Sequence, residues 1–270
     1  MAAAQPVVLE AGAGSGRLAA DLLHGLDAIS MAPERYLILE LSGELRARQR
    51  ATIEREVPAL AARVEWLDTM PEAFSGCVVA NELLDAIPVQ VLAWGADGLM
   101  ERGVGRAADG HFGWIERPAD AHLQHATAAL PVAAPYTGEV ALAAGAWVAE
   151  WGRRLVKGAL ILIDYGLPRR EYYHPQRSGG TLRCHYRHRA HDNPFWWPGL
   201  SDITTHVDFT AIAEAAHAAG LDVMGYTAQA SFLMNCGIGE LLTARQAAGG
   251  HARPAPADAR RTHPPARAPG

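Results

Sequence analysis

Short apolar runs alternate along the chain with longer segments that have helical spacing. Five runs rich in Val, Ile and Leu are typical of strands buried on both faces: VVLEA, YLILEL, VEWL, CVVAN and GALILIDYG. Leucine spacing predicts a helix from Gly16 to Ile29, and a second long helix is predicted from about Gly138 to Val156. Strands that alternate with helices indicate a parallel sheet with crossover helices. We therefore predict an α/β fold with a mostly parallel, doubly wound sheet.

Three segments depart from this alternation. Residues 89–117 carry two Ala-Asp-Gly turn signals between partly alternating runs, which predicts an inserted β-hairpin or meander. Residues 167–208 are rich in Pro, Arg, His and aromatic residues without a sustained period, which indicates a functional loop on the substrate side. Residues 247–270 are mostly Gly, Ala, Pro and Arg, which predicts a disordered tail. The expected organisation is one domain over residues 1–246, followed by this tail.

Composition narrows the class of protein. With 270 residues, of which 49% are hydrophobic, the chain can bury one large core. Its net charge of −5 gives no general attraction to nucleic acid or to an anionic membrane. No apolar run reaches the roughly 20 residues of a membrane span, and the start of the chain lacks the features of a secretory signal. Three widely spaced cysteines argue against a disulfide framework and a cysteine zinc site. We expect a soluble protein of the bacterial cytoplasm, or of the mitochondrial matrix if the source is eukaryotic.

The stretch EAGAGSG, which joins the first strand to the first helix, carries the strongest chemical signal. Gly12, Gly14 and Gly16 leave backbone N–H groups at a helix N-terminus open to a ligand. A dinucleotide-binding turn reads G-x-G-x-x-G, whereas the spacing here is G-x-G-x-G. Glu10 would repel a pyrophosphate and attract the ammonium group of a methionine moiety. These features favour S-adenosylmethionine over NAD, although a tight turn without a ligand remains an alternative.

Two further acids stand at strand ends. Glu40 ends the second strand at about the distance from the glycines at which an acid commonly binds ribose hydroxyls. Asp68 ends the third strand, where it could accept a hydrogen bond from the exocyclic amine of an adenine. A helix cap or turn is the alternative role for Asp68.

The stretch ANELLDAIPV follows the fourth strand and is the candidate acceptor site. Asn81, Glu82 and Asp85 lie there at the carboxyl end of the sheet, where open α/β sheets bind ligands. Methyl transfer needs a positioned nucleophile that loses a proton. Glu82 and Asp85 could clamp a guanidinium group, which predicts an arginine substrate, while Asn81 could bind a small amine or amide. Capping of a local helix is the alternative for both acids.

The loop over residues 167–208 allows several interpretations. Cys184, His185, His188 and His191 have a spacing that could suit a metal, but the interleaved arginines argue against one. Arginines alternating with aromatic residues could bind single-stranded nucleic acid. We prefer a loop whose aromatic residues pack beside the acceptor pocket and whose arginines pair with Asp192 and Asp202.

Three residues near that loop are left with two roles each, and a fourth, Asp208, with one. Asp164 and Tyr165 either face the acceptor pocket or form a turn at the end of the fifth strand. Asp208 is most simply the N-cap of the helix that follows it. His206 could assist proton removal near pH 7, or could be a buried structural histidine.

These stretches together resemble the MidA-like methyltransferases, which include an arginine methyltransferase that assists mitochondrial complex I assembly. The resemblance covers roughly residues 7–240, and the matching stretches are LEAGAGSGRLAADLL, ANELLDAIPVQ, ILIDYG, EYYHPQRSGGTLRCHYRHRAHDNPFWWPGLSDITTHVDFTAIAEAA and SFLMNCGI. Every class I methyltransferase shares the glycine turn, whereas NELLDA, GTLRCHYRHR and PGLSDITTHVDF are specific.

The resemblance implies a seven-stranded, Rossmann-like class I methyltransferase fold and S-adenosylmethionine as methyl donor. It also implies arginine N-methylation, which in the mitochondrial relative gives symmetric dimethylarginine on a complex I subunit. Glu10, the three glycines of the turn and Glu40 are the residues it assigns to the donor.

Two departures from the family pattern qualify that expectation. Relatives carry a segment resembling G-D-F-x-T-A-P-E-I-S ahead of the first strand, and they end in a further apolar strand. We therefore expect a chain truncated at both ends and a sheet without its last strand.

The sequence leaves three functional hypotheses. The first hypothesis is a protein arginine methyltransferase; the second is a binding or assembly module that holds the donor without turnover. The third, an NAD-dependent oxidoreductase, is weakened by the glycine spacing. The expected partner is a protein substrate, with no nucleic acid and no membrane span.

Overall fold

A computed structural model describes residues 7–106, 108–187 and 189–247. The strands are β1 (Val8–Ala11), β2 (Tyr36–Leu39), β3 (Val64–Leu67), β4 (Phe74–Asn81), β5 (Gln90–Gly95), β6 (Gly98–Arg106), β7 (Phe112–Pro118), β8 (Tyr136–Val140), β9 (Leu155–Ile163), β10 (Gly166–Leu167), β11 (Arg183–Tyr186), β12 (Arg189–His191), β13 (Asp202–Thr204) and β14 (Val207–Asp208). The helices are α1 (Arg17–Ala28), α2 (Gly43–Glu56), α3 (Ala121–Thr127), α4 (Leu142–Arg154), α5 (Arg169–Tyr172), α6 (Phe209–Ala218), α7 (Gln229–Asn235) and α8 (Ile238–Ala247).

A five-stranded parallel sheet with the order β3-β2-β1-β4-β9 forms the centre of the larger compact unit, residues 1–223. All four pairings between neighbouring strands in this sheet are parallel. The predicted doubly wound parallel sheet is therefore confirmed. Because parallel strands end at one edge, the segments that follow β1, β2, β3, β4 and β9 converge there.

Side chains alternate between the two faces of this sheet, and each face has its own core. Tyr36 and Ile38 of β2 face the side of α1 and α2 and pack in one cluster with Leu23. Leu9 faces the opposite side, where it packs with Trp151 of α4. Helices thus cover both faces of the sheet, which leaves the carboxyl edge open for a site.

Strand β9 differs from the prediction of a strand buried on both faces. Its hydrogen-bonded neighbour in the sheet is β4 alone, so it forms an edge of the sheet within the part of the chain that the structure describes. Val156 is 72% exposed and Ile161 is 39% exposed. The prediction of burial is therefore correct only for the face of β9 that packs against α4. The described residues contain five strands in this sheet, compared with the seven that the resemblance implied.

The segment over residues 89–117 forms β5, β6 and most of β7, which are antiparallel neighbours. Strand β8 pairs with the other edge of β5, which completes a four-stranded antiparallel sheet. The predicted start of the second long helix at Gly138 is wrong, because Gly138 belongs to β8 and lies opposite Leu92. Helix α4 begins four residues later.

Residues 167–208 contain regular structure of their own. Strands β12, β11 and β13 form a three-stranded antiparallel sheet, and β10 pairs with β14. Helix α6 follows β14 and is in contact with α4.

The smaller compact unit, residues 224–270, is described only through residue 247. It contains α7 and α8, which contact one another. The predicted tail lies outside the described residues from position 248 onward, and the assignment of residues 1–246 to one domain stays a prediction. Among the described residues, no helix has the length and apolar character needed to cross a membrane.

Candidate active site

The glycine turn between β1 and α1 has a backbone that favours glycine at three positions. Gly12, Gly14 and Gly16 have φ angles of 71°, 50° and 79°, all in the left-handed region. A Cβ atom on Gly12 would lie 2.9 Å from Leu83 Cδ1, and one on Gly16 would lie 2.9 Å from Gln49 Cα. Gly14 has open space around its Cα atom, so a ligand can approach the backbone there.

This turn forms one wall of a cavity of about 460 Å³, which we call the donor cavity. Asn81, the last residue of β4, and the adjacent Glu82 also line this cavity. The lining residues are Glu10, Gly12, Ala13, Gly14, Ser15, Arg17, Leu18, Asp21, Asn81 and Glu82. One cavity therefore joins the predicted donor turn to two of the three predicted acceptor residues.

Glu10 lies on β1 between Ile38 and Val79 of the neighbouring strands. Its side chain is buried, and its Oε2 atom accepts a hydrogen bond of 2.6 Å from the Tyr36 hydroxyl group. Burial raises the pKa of Glu10 to about 7, although the Tyr36 hydrogen bond opposes this rise. A cationic ligand group beside this carboxylate would favour its ionised form.

Gln49 of α2 connects the glycine turn to the second predicted donor residue. Its fully buried amide donates hydrogen bonds to the Gly14 carbonyl at 3.2 Å and to Glu40 Oε2 at 3.1 Å. Its oxygen accepts a hydrogen bond of 2.9 Å from the Trp66 indole. The other carboxylate oxygen of Glu40 accepts from the Ser42 N–H at 2.9 Å. The Gln49 amide therefore joins Glu40, which directly follows β2, to the glycine turn.

Asp68 lies after β3, and its side chain is 85% exposed. It forms an ion pair of 2.8 Å with Arg46 Nη2. The same arginine donates to the backbone carbonyls of Glu40 and Leu67. Asp68 is therefore held at the next strand end beyond Glu40, outside the wall of the donor cavity, and its role toward an adenine stays a prediction.

The predicted acceptor residues follow β4 closely. Asn81 is the last residue of the strand, and the Glu82 N–H donates to the Ile163 carbonyl at 2.9 Å. Glu82 has a φ angle of 49°, an uncommon conformation for a residue with a side chain. Asp85 lies in a 3₁₀ turn over Leu84–Ala86. The strained turn directs the chain out of the sheet and leaves Glu82 exposed at the cavity.

Asp85 is surrounded by other acids. Burial raises its pKa to about 6, with further contributions from Asp164, Glu82 and Asp202. Its Oδ1 atom is buried and has no hydrogen-bond partner among the described residues. A buried carboxylate oxygen without a partner is costly, and a bound cation with N–H donors would relieve that cost.

Asp164 has a structural position beside this group. Its Oδ2 atom accepts from the N–H groups of Leu84 and Asp85 at 2.8 and 3.2 Å, and its Oδ1 atom accepts from the Tyr165 N–H. Of the two roles considered for Asp164, formation of a turn at the strand end accounts for these bonds. Tyr165 is 64% exposed.

The loop over residues 167–208 is fixed to β8 by Glu139, which is buried. The Glu139 carboxylate accepts hydrogen bonds from the N–H and hydroxyl groups of Thr181 and from the Leu182 N–H. The Tyr172 hydroxyl donates to it at 3.4 Å. A Cβ atom on Gly180, whose φ angle is 82°, would lie 2.2 Å from Glu139 Oε1. Glycine is therefore required where the loop approaches the carboxylate.

From Thr181 this network extends to the acceptor residues. Its hydroxyl oxygen accepts from the His206 N–H at 3.1 Å, and the adjacent Thr205 N–H donates to the Asp85 carbonyl at 3.0 Å. His206 is exposed at the surface, and partial desolvation of its ring lowers its pKa. Its role in proton removal stays a prediction. Asp208 accepts from two N–H groups at the start of α6, which confirms the predicted N-cap.

Aromatic residues of the same loop pack within the chain. Phe195 contacts Trp114 of β7, Trp197 contacts Tyr186, and Trp196 contacts His191. Arg183 forms the predicted ion pair with Asp192, whereas no ion pair joins an arginine to Asp202 among the described residues. Within this part of the chain no group of three metal-binding side chains is present, and His188 of the suggested cluster lies outside it.

Comparison with known proteins identifies the family. Residues 1–227 match the family described as "Putative S-adenosyl-L-methionine-dependent methyltransferase". The chain belongs to this methyltransferase family. None of the curated proteins compared with the chain matches it.

Two solved structures from Burkholderia thailandensis are similar to this methyltransferase-family chain. One is bound to S-adenosyl-homocysteine; it is 49% identical over 92% of the chain, with a TM-score of 0.87. The other, a native structure, is 50% identical over 89% of the chain, with a TM-score of 0.86. The chain spans 64% of the length of each of these relatives. The prediction of a Rossmann-like class I methyltransferase fold is confirmed.

Within this methyltransferase fold, the structure brings together Glu10, the glycine turn, Asn81 and Glu82 around one cavity. Asp85 lies three residues after Glu82, while Glu40 follows β2 and Asp68 follows β3. Sequence analysis missed Gln49 and Glu139, which hold these groups in place. A weak signal existed for Gln49, because it lies four residues before the buried Ile53 and therefore shares its helix face.

Proposed function

We propose that this chain is an S-adenosylmethionine-dependent methyltransferase whose acceptor is the side chain of a protein arginine. One observation carries the proposal: Glu10, the glycine turn, Asn81 and Glu82 all line the donor cavity. A methyl donor held by the glycine turn would therefore lie in the same cavity as the proposed acceptor residues Asn81 and Glu82. The bound S-adenosyl-homocysteine in one relative supports this choice of donor.

The chain's own residues fit such a donor. N–H groups of the glycine turn can bind the carboxylate of its amino acid tail, since they lie at the N-terminus of α1. Glu10 can accept hydrogen bonds from its ammonium group, and Glu40 is placed to accept from ribose hydroxyls. S-adenosylmethionine supplies the reactive methyl group, so the protein's task is to position the two reactants.

The acceptor end fits a cationic side chain. Glu82 is exposed at the cavity and Asp85 lies close enough for their charges to interact. A guanidinium group could donate to both carboxylates and would satisfy the buried Asp85 oxygen. Asp85, with its raised pKa, could then receive the proton that the guanidinium loses on methylation.

Within the family we place the chain with the MidA-like members, because of NELLDA and GTLRCHYRHR. That placement makes a subunit of respiratory complex I the acceptor protein to test first. Because the chain spans 64% of its solved relatives, this activity, its substrate and its partner are proposed for the whole protein.

Calorimetry and methyl transfer test the proposal. The chain should bind S-adenosylmethionine but not NAD, and it should transfer a labelled methyl group to an arginine peptide. Glu82→Gln should lower turnover about tenfold or more without weakening donor binding, since it removes one charge from the clamp. Glu54→Gln, an exposed change on α2, is the matched control and should have no effect.

Two results would reject parts of this proposal. Heat released with NAD but not with S-adenosylmethionine would reject the donor. Normal donor binding, with no label transferred to arginine peptides or to complex I subunits, would support a module that binds the donor without turnover.

A further inference from the structure

We propose that Arg187 and Arg189 bind an acidic segment of the acceptor protein, a few residues away from the arginine that is methylated. This inference rests on the proposed function, because it places the methylated residue beside Glu82 and Asp85. It adds a second contact that selects among arginines by the charge of the neighbouring sequence.

The two arginines flank the turn between β11 and β12 and are both exposed. The Arg187 guanidinium lies over the ring of Tyr186, 5.3 Å from its centroid, and Arg189 is opposite Tyr186 in the strand register. Neither forms an ion pair with another described residue, in contrast to Arg183, which pairs with Asp192. This turn therefore carries two positive charges that the described part of the chain does not neutralise.

The small sheet fixes the separation between these charges and the acceptor residues. Strand β13 is in contact with the 3₁₀ turn that contains Asp85, and the Thr205 N–H that follows β13 donates to the Asp85 carbonyl. Strand β12 lies two strands away from β13. Since neighbouring strands are about 4.8 Å apart, β12 and β13 are about 10 Å apart across the sheet. Arg189 pairs with Tyr186, three positions along β11 from Arg183, which pairs with Thr204, so the offset along the strands adds about 10 Å. The resulting separation is about 14 Å, and an extended peptide rises about 3.3 Å per residue, so the acid should lie about four to six residues from the methylated arginine.

An acidic peptide fits this surface better than a nucleic acid does. Glu82, Asp85 and Asp202 lie together at the acceptor end and would repel a phosphate backbone. The rings of Trp196 and Trp197 already pack against His191 and Tyr186, which reduces the ring surface left for base stacking. Guanidinium groups bind carboxylates in a paired geometry, which suits an Asp or Glu side chain of a peptide.

The test uses three fluorescent peptides that differ at one position. Each contains a single arginine, and the residue four positions away is Asp, Asn or Lys. The Asp peptide should bind about threefold to fivefold more tightly than the Asn peptide, and the Lys peptide should bind most weakly. The Asn peptide should still be methylated at high concentration, so a failure of methylation alone would count against the proposed function and not against this inference.

Variants assign the preference to the two arginines. In Arg187→Glu/Arg189→Glu the order of affinities should reverse in favour of the Lys peptide, while donor binding is unchanged. Arg187→Gln/Arg189→Gln should abolish the preference without reversing it. This milder variant keeps the test valid if the double Glu variant misfolds. Arg48→Glu/Arg55→Glu on α2 makes the same change in net charge and should keep the preference for Asp.

Three results would overturn the inference. The first is equal affinity of the unmodified protein for the three peptides. The second is a preference for Asp that survives in both variants of the turn. The third is an RNA oligomer that displaces the Asp peptide and loses its own affinity in Arg187→Gln/Arg189→Gln, which would assign the surface to nucleic acid.

Discussion

Binding of S-adenosylmethionine should tighten as the pH rises from 5.5 to 7.0, because Glu10 must ionise before it can hold the ligand's ammonium group. In the folded chain without ligand, burial raises the pKa of Glu10 from 4.5 to about 7. Over this range the ionised fraction therefore increases from about one in thirty to about one half. The apparent dissociation constant should fall about fifteenfold, which is about 1.6 kcal/mol. An acid with an ordinary pKa would be almost fully ionised across the same range and would give little change.

Titration calorimetry at several pH values measures this dependence. Glu10→Gln should bind the donor weakly and with little pH dependence, since an amide does not titrate. Tyr36→Phe removes the hydrogen bond that favours the ionised form, so its midpoint should move to higher pH. The natural comparison ligand is 5′-methylthioadenosine, which has no ammonium group and should bind equally well at all these pH values.

Donor affinity that is constant from pH 5.5 to 7.0 would refute this reasoning, as would an unchanged affinity in Glu10→Gln. If 5′-methylthioadenosine showed the same pH dependence as the donor, the titrating group would act on another part of the ligand. Far-ultraviolet circular dichroism of each protein at each pH would ensure that the titration reports on binding and not on unfolding.

Three further predictions concern groups that support the site. Gly16→Ala should lower the free energy of unfolding by about 1–3 kcal/mol in a urea titration, because its φ angle is 79° and the new Cβ atom would press on the Gln49 backbone. Gln49→Leu should weaken donor binding in calorimetry and cost about 1–3 kcal/mol of stability, since the Gly14 carbonyl and two other polar groups lose their partner; normal donor affinity would show that the turn holds its shape without this amide. Glu139→Gln should raise the KM for an arginine peptide severalfold while the donor dissociation constant stays unchanged, because the bonds to Thr181 weaken; an equal loss of both affinities would indicate general destabilisation instead.

The parallel sheet and the glycine turn could be predicted because their signals are local. An apolar strand, an acid and three glycines follow one another within ten residues, and each glycine has the left-handed backbone that its residue type favours. The N-cap role of Asp208 was likewise readable from the helix that follows it. The turn conformation of the glycines and the N-cap bonds of Asp208 depend on residues that are near in sequence, so the spacing of residue types is enough to predict them.

The residues that hold the site together depend on contacts between distant parts of the chain. Gln49 lies 35 residues from Gly14, in a helix that otherwise shows few apolar positions, so it resembles a solvent-facing side chain. Glu139 lies 42 residues before Thr181 and follows a glycine in a segment that was predicted to be helical from its spacing. The exposure of β9 is a property of its place at the sheet edge, and no pattern within the strand encodes it.

The acid-lined donor cavity has a consequence for the proposed methyl transfer. Its wall contains Glu10, Asp21 and Glu82, and its single arginine, Arg17, pairs with Asp21. The methyl donor carries a sulfonium charge that disappears when the methyl group leaves, so the spent thioether is less cationic than its precursor. A negatively charged wall attracts the fresh molecule more strongly than the used one. We therefore expect these carboxylates to contribute less to the binding of the spent thioether than to the binding of the sulfonium donor.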